Sequence, residues 1–160
     1  GSANAGTQNS ACFGFYNRSN TGVIADVEMG ASRAGAGQDF NCNVSVNYDG
    51  NLYFALNDEN GDVGRAAPAN VAGIYVNSRV AAGTATIYKD GSSFATNGQT
   101  SSGVPTTNYC IGAAFDRSGT IGQFSPRQIG MSFLGASGMD ATQVANFTTI
   151  IQTYMTAIGA

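Results

Sequence analysis

The sequence predicts an all-β fold: a two-sheet antiparallel β-sandwich of the jelly-roll type, closed by one C-terminal amphipathic α-helix. Apolar and polar residues alternate along several short segments, and Asp-Gly turns connect such segments. Helical spacing of apolar residues begins only near residue 140. The 160 residues fit one domain with one core.

The alternation is clearest in the sequence DFNCNVSVNY. Its apolar side chains share one face, in the order Phe40, Cys42, Val44, Val46 and Tyr48. Similar runs occupy residues 11–16, 22–30, 71–80, 107–115 and 128–135. With the two hairpins described next, they give about nine strands, more than one open sheet of a small domain comfortably holds. We therefore expect two stacked antiparallel sheets.

The sequence NYDGNLYFALN predicts a hairpin with a bulged turn. Residues that face each other in a hairpin point to the same side of the sheet. A two-residue turn would place the apolar residues of the second strand on the polar side. A three-residue loop, Tyr48 to Gly50, avoids this and puts Gly50 at the left-handed position. It predicts the facing pairs Val46 and Leu52, Val44 and Phe54, and Cys42 and Leu56.

The second hairpin, TATIYKDGSSFAT, favours the shorter turn. A two-residue loop of Asp90 and Gly91 places Ile87 opposite Phe94, so that both side chains point to the core. The two hairpins therefore use different turns and aim their apolar sides at one interior.

The C-terminal residues predict one amphipathic helix. Asp140 can cap its first turn, Gln143 can complete a capping box, and Met139 can pack against Val144. The apolar stripe comprises Val144, Phe147, Ile150, Ile151, Tyr154, Met155 and Ile158. We expect this stripe to pack on an edge or end of a sheet rather than on a partner.

The three cysteines, Cys12, Cys42 and Cys110, lie far apart, each in an apolar run. This favours small buried hydrophobic side chains over a disulfide, and the odd count leaves at least one thiol free. The chain has no histidine and no CxxC motif, so the usual ligands of zinc are missing. We therefore expect no zinc site.

The charge balance argues against nucleic acid as a partner. Seven basic and ten acidic residues, at a pI of about 4.5, provide no cationic stripe for phosphates. No apolar stretch reaches the roughly 20 residues of a membrane-spanning helix, so we expect no membrane insertion. Gly1-Ser2 has the form of a cloning scar, and we expect residues 1–9 to be a flexible N-terminal segment before a domain at 10–160.

The C-terminal half resembles a known family. The hairpin IYKDGSSFA is followed by YCIGAAFDRSGTIGQFSPRQIGMSFLGASGMDATQVANF. This order is similar to the closing half of the concanavalin A-like lectin/glucanase superfamily, in its laminin G-like variety. There a YxNG hairpin precedes a strand ending in IG, an F-S-x-R-x-I strand, and a helix start with the pattern G-x-x-L-x-x-x-x-V. Met139 replaces the usual leucine, and the resemblance covers residues 70–158.

The version with a long final helix is similar to modules at the ends of phage tail fibres and tailspikes and in bacterial surface proteins. The resemblance therefore implies a location on a virion or an extracellular surface. It also implies a non-enzymatic module that binds carbohydrate, with a cell-surface glycan on the host as partner. The alternative is a structural module, a trimerisation or capping end of a fibre, so a homo-oligomer or a place in a larger fibre is also expected.

A third interpretation is a retaining glycoside hydrolase, because the superfamily includes such enzymes. Their catalytic strand resembles E-x-D-x-E, in which the outer carboxylates act. Here the sequence IADVE supplies Asp26 and Glu28, but Ile24 stands where the nucleophile should be. Retaining hydrolysis needs carboxyl groups about 5 Å apart. Residues two apart on a strand are about 6.6 Å apart. We expect no catalytic residues, and Asp26 and Glu28 to be solvated strand residues.

The sequence NDENGD offers oxygen ligands at alternate positions, as calcium loops do. The match is incomplete. An EF-hand loop that starts at Asp58 would need glycine where Val63 stands and glutamate where Ala69 stands. A polar turn is therefore favoured, and we expect no cofactor, with calcium as the ion that this loop could hold.

If a sugar or an ion binds, this loop is the predicted site. The predicted ligand-binding residues are Asp58, Asn60, Asp62 and Arg65. Sugar recognition also uses an aromatic platform, and with no tryptophan in the chain this role falls to tyrosine. By alternation, the tyrosines expected to point outward are Tyr16, Tyr53 and Tyr75.

Overall fold

The computed structural model describes residues 6–20, 22, 26–33, 42–58, 63–115 and 118–159. The strands in this part of the chain are β1 (Ala11–Asn17), β2 (Met29–Ala31), β3 (Cys42–Tyr48), β4 (Asn51–Leu56), β5 (Val63–Ala66), β6 (Gly73–Ala81), β7 (Thr84–Lys89), β8 (Ser92–Asn97), β9 (Cys110–Ile111), β10 (Ala114–Phe115), β11 (Ile121–Gly122) and β12 (Ile129–Gly135). One helix, α1 (Ala141–Ala157), follows. Within the described residues, no helix combines the length and apolar character that crossing a membrane requires.

The strands form two antiparallel sheets of five strands. The first has the order β12-β1-β6-β7-β8, and the second has the order β5-β4-β3-β2-β9. The short strands β10 and β11 form a separate pair. The prediction of a two-sheet antiparallel sandwich with one C-terminal helix is confirmed.

The core lies between the two sheets. Phe13 and Phe15 of β1 face Val44 and Phe54 of the second sheet, and all four side chains are fully buried. The Phe15 ring stacks on the ring of Tyr75 at a centroid distance of 5.5 Å. Such an interior gains roughly 1.5–3 kcal/mol for each large apolar side chain removed from water.

The helix covers the outer face of the first sheet. Val144 is fully buried against Ile74, Val76 and Tyr88 of β6 and β7, and Phe147 packs edge-on against a phenylalanine of β12. The expectation that the helix packs on an edge or end of a sheet is therefore wrong. The reason is that this sheet is apolar on both faces, and its outer face needs a cover.

The first hairpin has the predicted register at the end far from its turn, but the turn itself differs from the prediction. Val44 faces Phe54 and Cys42 faces Leu56, as predicted. The loop is Asp49 and Gly50 alone, both at positive φ, so a three-residue loop is wrong. The extra residue lies inside β3, where residues 46 and 47 together oppose Leu52.

The second hairpin has the predicted two-residue turn and an unpredicted bulge. Asp90 and Gly91 both have positive φ, which fits the turn. The strand register then shifts by one residue, so Ile87 faces Ala95 and the predicted pair of Ile87 and Phe94 is wrong. Phe94 is the extra residue of the bulge and still packs against the core.

The three cysteines are free. Cys12 and Cys42 are buried and Cys110 is half-buried, which agrees with their interpretation as small hydrophobic side chains. At the N-terminus, residues from the segment expected to be flexible are bonded to the sandwich. Asn57 donates from Nδ2 to the carbonyl oxygen of Thr7 at 2.9 Å, and Gln8 donates from Nε2 to that of Ser101 at 2.9 Å.

Candidate functional site

The predicted ligand loop is only partly described, and its first residue faces the interior. Asp58 is fully buried and accepts a hydrogen bond from Asn97 Nδ2 at 3.1 Å. Arg65 is exposed on β5, where it pairs with Leu52. Leu52 lies four residues before Leu56, or about 13 Å along β4, so Asp58 and Arg65 do not converge.

Asn60 and Asp62 lie outside the described residues. The loop as a ligand-binding or calcium-binding site therefore stays a prediction. Within the described part of the chain, no three side chains among Asp, Glu, Cys and His come close enough to hold a metal ion.

Asp58 belongs to a buried polar cluster between the two sheets. Arg79, whose side chain is also buried, donates from Nε to the carbonyl oxygen of Leu56 at 2.6 Å. Burial lowers the pKa of Arg79, and the charge of Asp58 acts in the opposite direction. Asn77 donates from Nδ2 to the carbonyl oxygen of Ala55 at 2.8 Å. These bonds connect β6 to β4 across the core, which is a structural role.

The carboxylates considered for hydrolysis do not form an acid and nucleophile pair. Glu28 is fully buried, so the expectation that it is solvated is wrong. Its carboxylate accepts hydrogen bonds from Arg127 Nε at 2.8 Å, Ser125 Oγ at 3.1 Å and the backbone N–H of Val46 at 2.7 Å. Asp26 is half-buried. Ile24 lies outside the described residues.

These contacts give the F-S-x-R-x-I motif a physical meaning. Ser125 and Arg127 of that motif hold the carboxylate of Glu28, which lies 99 residues from Arg127 in the sequence. Burial raises the pKa of Glu28, while the Val46 N–H and the Arg127 charge act in the opposite direction. A sequence signal for this ion pair exists: the motif contains an arginine, Arg127, and an apolar segment elsewhere in the chain contains the carboxylate of Glu28.

The bulge in β3 changes the face on which Tyr48 lies. Alternation along the strand predicts Tyr48 beside Val44 in the core, and this is wrong. Because the bulge adds one residue, Tyr48 pairs with Asn51 and points to the outer face of the second sheet. There its ring meets the ring of Tyr53 edge-on, with centroids 5.8 Å apart and planes at 88°. Both tyrosines are half-buried.

The neighbouring strand leaves room for Tyr53. Gly64 of β5 pairs with Tyr53, and a Cβ atom at Gly64 would lie 2.7 Å from Tyr53 Cε1. Asn51 pairs with Tyr48 and carries an amide that is not fully buried. Arg65 pairs with the core residue Leu52, so its side chain leaves β5 from the opposite face. We call Tyr48, Asn51, Tyr53 and Gly64 the tyrosine face.

The other two tyrosines expected to point outward, Tyr16 and Tyr75, are covered by other parts of the fold. Tyr75 is fully buried, and its hydroxyl donates to the carbonyl oxygen of Val71 at 3.0 Å. Tyr16 is half-buried under α1. Of the three, Tyr53 is the one that belongs to a surface suited to stacking.

Comparison with solved structures gives fold neighbours. Trypanosoma rangeli sialidase has a TM-score of 0.64 and 12% identity, over 88% of this chain and 22% of that chain. The same sialidase in complex with sialic acid has a TM-score of 0.62 and 13% identity, over 86% of this chain and 22% of that chain. A mutant of HCR D/C VPI 5995 has a TM-score of 0.60 and 12% identity, over 89% of this chain and 37% of that chain.

These likenesses show a shared β-sandwich fold and no more, because the identities are low. The chain spans about a fifth of the length of the sialidases. No family model and no curated protein matches the sequence.

Proposed function

We propose that this domain is a non-enzymatic carbohydrate-binding module that recognises a host cell-surface glycan as part of a phage tail fibre or tailspike. The observation that carries the proposal is the edge-on pair of Tyr48 and Tyr53 on the outer face of the second sheet. The virion location follows from the resemblance of residues 70–158 to modules of tail fibres.

The chemistry of the tyrosine face suits a sugar ring. The C–H groups on one side of a pyranose pack on an aromatic ring, and its hydroxyl groups need donors and acceptors nearby. Asn51 supplies an amide, which can donate to and accept from sugar hydroxyl groups. A fold neighbour solved with sialic acid supports testing acidic glycans first.

The absence of hydrolysis is part of the proposal. A retaining mechanism needs two carboxyl groups that both reach the glycosidic bond. Glu28 is buried and bound by three donors, so its carboxylate cannot contact a substrate. Incubation with the bound glycan should release no reducing sugar, and release that depends on Asp26 would contradict this part.

The test begins with a glycan array that contains sialylated and neutral glycans. The affinity of the best soluble, monovalent glycan is then measured by calorimetry for the parent protein, Tyr53→Ala and Tyr48→Ala. We expect each variant to bind about tenfold more weakly or worse, a loss of about 1.4 kcal/mol. Tyr154→Ala, which removes an exposed tyrosine of α1, is the matched control and should bind unchanged. Unchanged binding by Tyr53→Ala would exclude this face.

A structural module is the second candidate. It is favoured by the large apolar side chains that remain exposed on α1, among them Ile150 and Ile158. An obligate trimer that binds no glycan on the array would support a structural end of a fibre and exclude the lectin function. A protein that binds a glycan through the tyrosine face would exclude the purely structural role.

A further inference from the structure

β12 is an edge strand without the usual protection. Among the strands that the structure describes, none pairs with the outer side of β12. Natural edge strands commonly carry lysine, proline or an inward-pointing charge, which prevents pairing with another chain. The seven residues of β12, IGMSFLG, contain no charged residue and no proline.

An apolar stripe of α1 lies above this edge. Phe147 contacts Phe133 of β12, with ring centroids 4.6 Å apart, so this flank of the helix faces β12. Ile150, Tyr154 and Ile158 continue outward from Phe147 at helical spacing. Their exposed fractions are 65%, 56% and 57%.

Below the edge, apolar side chains also reach solvent. Leu134 of β12 is 43% exposed and Ile111 of β9 is 58% exposed. Between these two edge strands lies a cleft of about 250 Å³, whose lining residues are Met29, Tyr109, Ile111, Ser132, Phe133 and Leu134. Phe124 is 67% exposed. It lies near Ile111 in the fold, because the N–H of the next residue, Ser125, donates to the carbonyl oxygen of Gly112.

The area of this surface matches a stable interface. We call it the β12 side; its exposed side chains are Ile111, Phe124, Leu134, Ile150, Tyr154 and Ile158. The six exposed fractions add up to about three and a half fully exposed side chains. At about 150–200 Å² for each side chain, this is roughly 500–700 Å² of apolar area. A standard interface takes roughly 800 Å² from each partner, of which about 60% is apolar.

The charge pattern favours a second copy of the same chain as the occupant. Neither β12 nor α1 contains a charged residue. Two copies related by a twofold axis therefore bring no charged residues of β12 or α1 together, and among the described residues the one cationic side chain against β12 is that of Arg18, beside Gly130 near the start of the strand. An antiparallel pair of identical edge strands also satisfies the backbone donors and acceptors of both.

We propose that two copies of this chain associate through the β12 side, with β12 antiparallel to β12 about a twofold axis. The two five-stranded sheets then form one continuous sheet, and the stripes of α1 lie on either side of the axis. The tyrosine face belongs to the other sheet, so the inference goes beyond sugar binding and does not rest on it.

The mass in solution tests the proposal. Sedimentation velocity and light scattering on the whole chain should give twice 16.3 kDa at high micromolar concentration, with dissociation on dilution. Leu134→Lys and Tyr154→Lys should each shift the midpoint of dissociation to at least tenfold higher concentration. The matched control is Val80→Lys, because Val80 lies in the interior strand β6 and is 51% exposed. This variant should leave the midpoint of dissociation unchanged.

Three results would overturn the proposal: a monomer at all concentrations, a trimer, or a dimer weakened equally by Val80→Lys. Circular dichroism melting of each variant shows whether it is folded, because these exposed sites should change the stability little. Monovalent glycan affinity in the Leu134→Lys variant should equal that of the parent. Failure of the dimer is thereby distinguished from failure of the sugar site.

Discussion

Glu28 and Arg127 show how one residue pair organises the end of the sandwich. Both side chains are fully excluded from solvent, and Arg127 Nε donates to Glu28 at 2.8 Å. Arg127 also donates from Nη2 to the carbonyl oxygen of Gly22 at 3.1 Å. Moving two charges out of water is costly, and their attraction and hydrogen bonds offset that cost only while both partners remain.

Removal of one partner should therefore destabilise the fold strongly. We expect Arg127→Met to lower the free energy of unfolding by about 3–5 kcal/mol, because it leaves the Glu28 carboxylate buried without a counter-charge. Urea denaturation followed by circular dichroism measures this. Arg65→Met, at an exposed arginine, should change the free energy by less than about 0.5 kcal/mol. Equal losses in the two variants would contradict the account.

The free energy of unfolding of the Arg127→Met variant should also depend on pH. Burial raises the pKa of Glu28, and loss of Arg127 removes an influence that lowers it. Glu28 then binds a proton more readily in the folded than in the unfolded state, so the variant should be more stable at pH 5 than at pH 7. Relative to the parent, its free energy of unfolding should fall more steeply as the pH rises through this range. Parallel pH profiles would rule this out.

Gly14 is required by its neighbours. A Cβ atom there would lie 2.1 Å from the carbonyl oxygen of Tyr75 and 2.7 Å from the ring of Phe133. We expect Gly14→Ala to lower the free energy of unfolding by about 1–3 kcal/mol or more through overpacking. Gly98→Ala, with no atom within 4 Å of the added carbon, should be neutral or slightly stabilising. Thermal and urea denaturation compare the two, and a larger loss at Gly98 would contradict this packing.

At the scale of elements, the start of α1 follows local rules that sequence alone can reveal. Asp140 accepts a hydrogen bond from the N–H of Gln143 at 2.9 Å, and Gln143 Oε1 accepts one from the N–H of Asp140 at 2.9 Å. The predicted capping box is confirmed. Its residues are three positions apart, so no tertiary contact is needed to specify it.

Loss of the cap has a definite expected cost. Asp140→Ala should lower the free energy of unfolding by about 0.5–2 kcal/mol, because the backbone N–H of Gln143 loses the carboxylate that accepts its hydrogen bond. Thr142→Ala, an exposed position in the same turn, should cost little. Urea denaturation of both variants is the measurement. If Asp140→Ala were neutral, the cap would be redundant with the packing of Val144 on the sheet.

The hairpins mark the limit of sequence reasoning about strands. Alternation predicts which segments pair, and it predicts the facing residues far from the first turn correctly. It does not say whether an extra residue lies in the loop or in the strand. Asp49 and Gly50 both tolerate positive φ, which allows the tighter turn, and the extra residue moves into β3. This places Tyr48 on the outer face.

The parts of the candidate site that sequence missed depend on contacts between distant residues. Arg127 and Glu28 are 99 positions apart, and Asp58 and Asn97 are 39 apart. Alternation treats each polar strand residue as solvated, because it has no information about segments that later cover that face. Glu28 and Asp58 are therefore buried although their local sequence predicts exposure.

For the whole molecule, the reactivity of the cysteines reports how the buried parts of the fold open. Burial raises the pKa of Cys12 to about 11 and that of Cys42 to about 12, and it raises the pKa of Cys110 as well. The first two thiols are buried and Cys110 is half-buried. Reaction needs both access and a thiolate. Access to Cys42 needs separation of the two sheets, and access to Cys12, on the outer face of the first sheet, needs displacement of the residues that cover it.

We expect one thiol to react with a disulfide reagent in the folded protein and two to react only on unfolding. The fast phase belongs to Cys110 and should disappear in Cys110→Ser. The slow phase should follow the unfolding equilibrium as urea is added. Modification of all three thiols at one rate would show that Cys12 and Cys42 are both open to solvent in the folded protein.

The polar bonds that cross the core have a consequence for mechanics. Asn77 and Arg79 of one sheet donate to the carbonyl oxygens of Ala55 and Leu56 in the other. Apolar contacts alone would let two layers slide past each other, whereas these directional bonds are lost on a shift of one residue. Resistance to shear therefore rests on a few buried donors in β6, and a load applied to one layer is passed to the other without slippage.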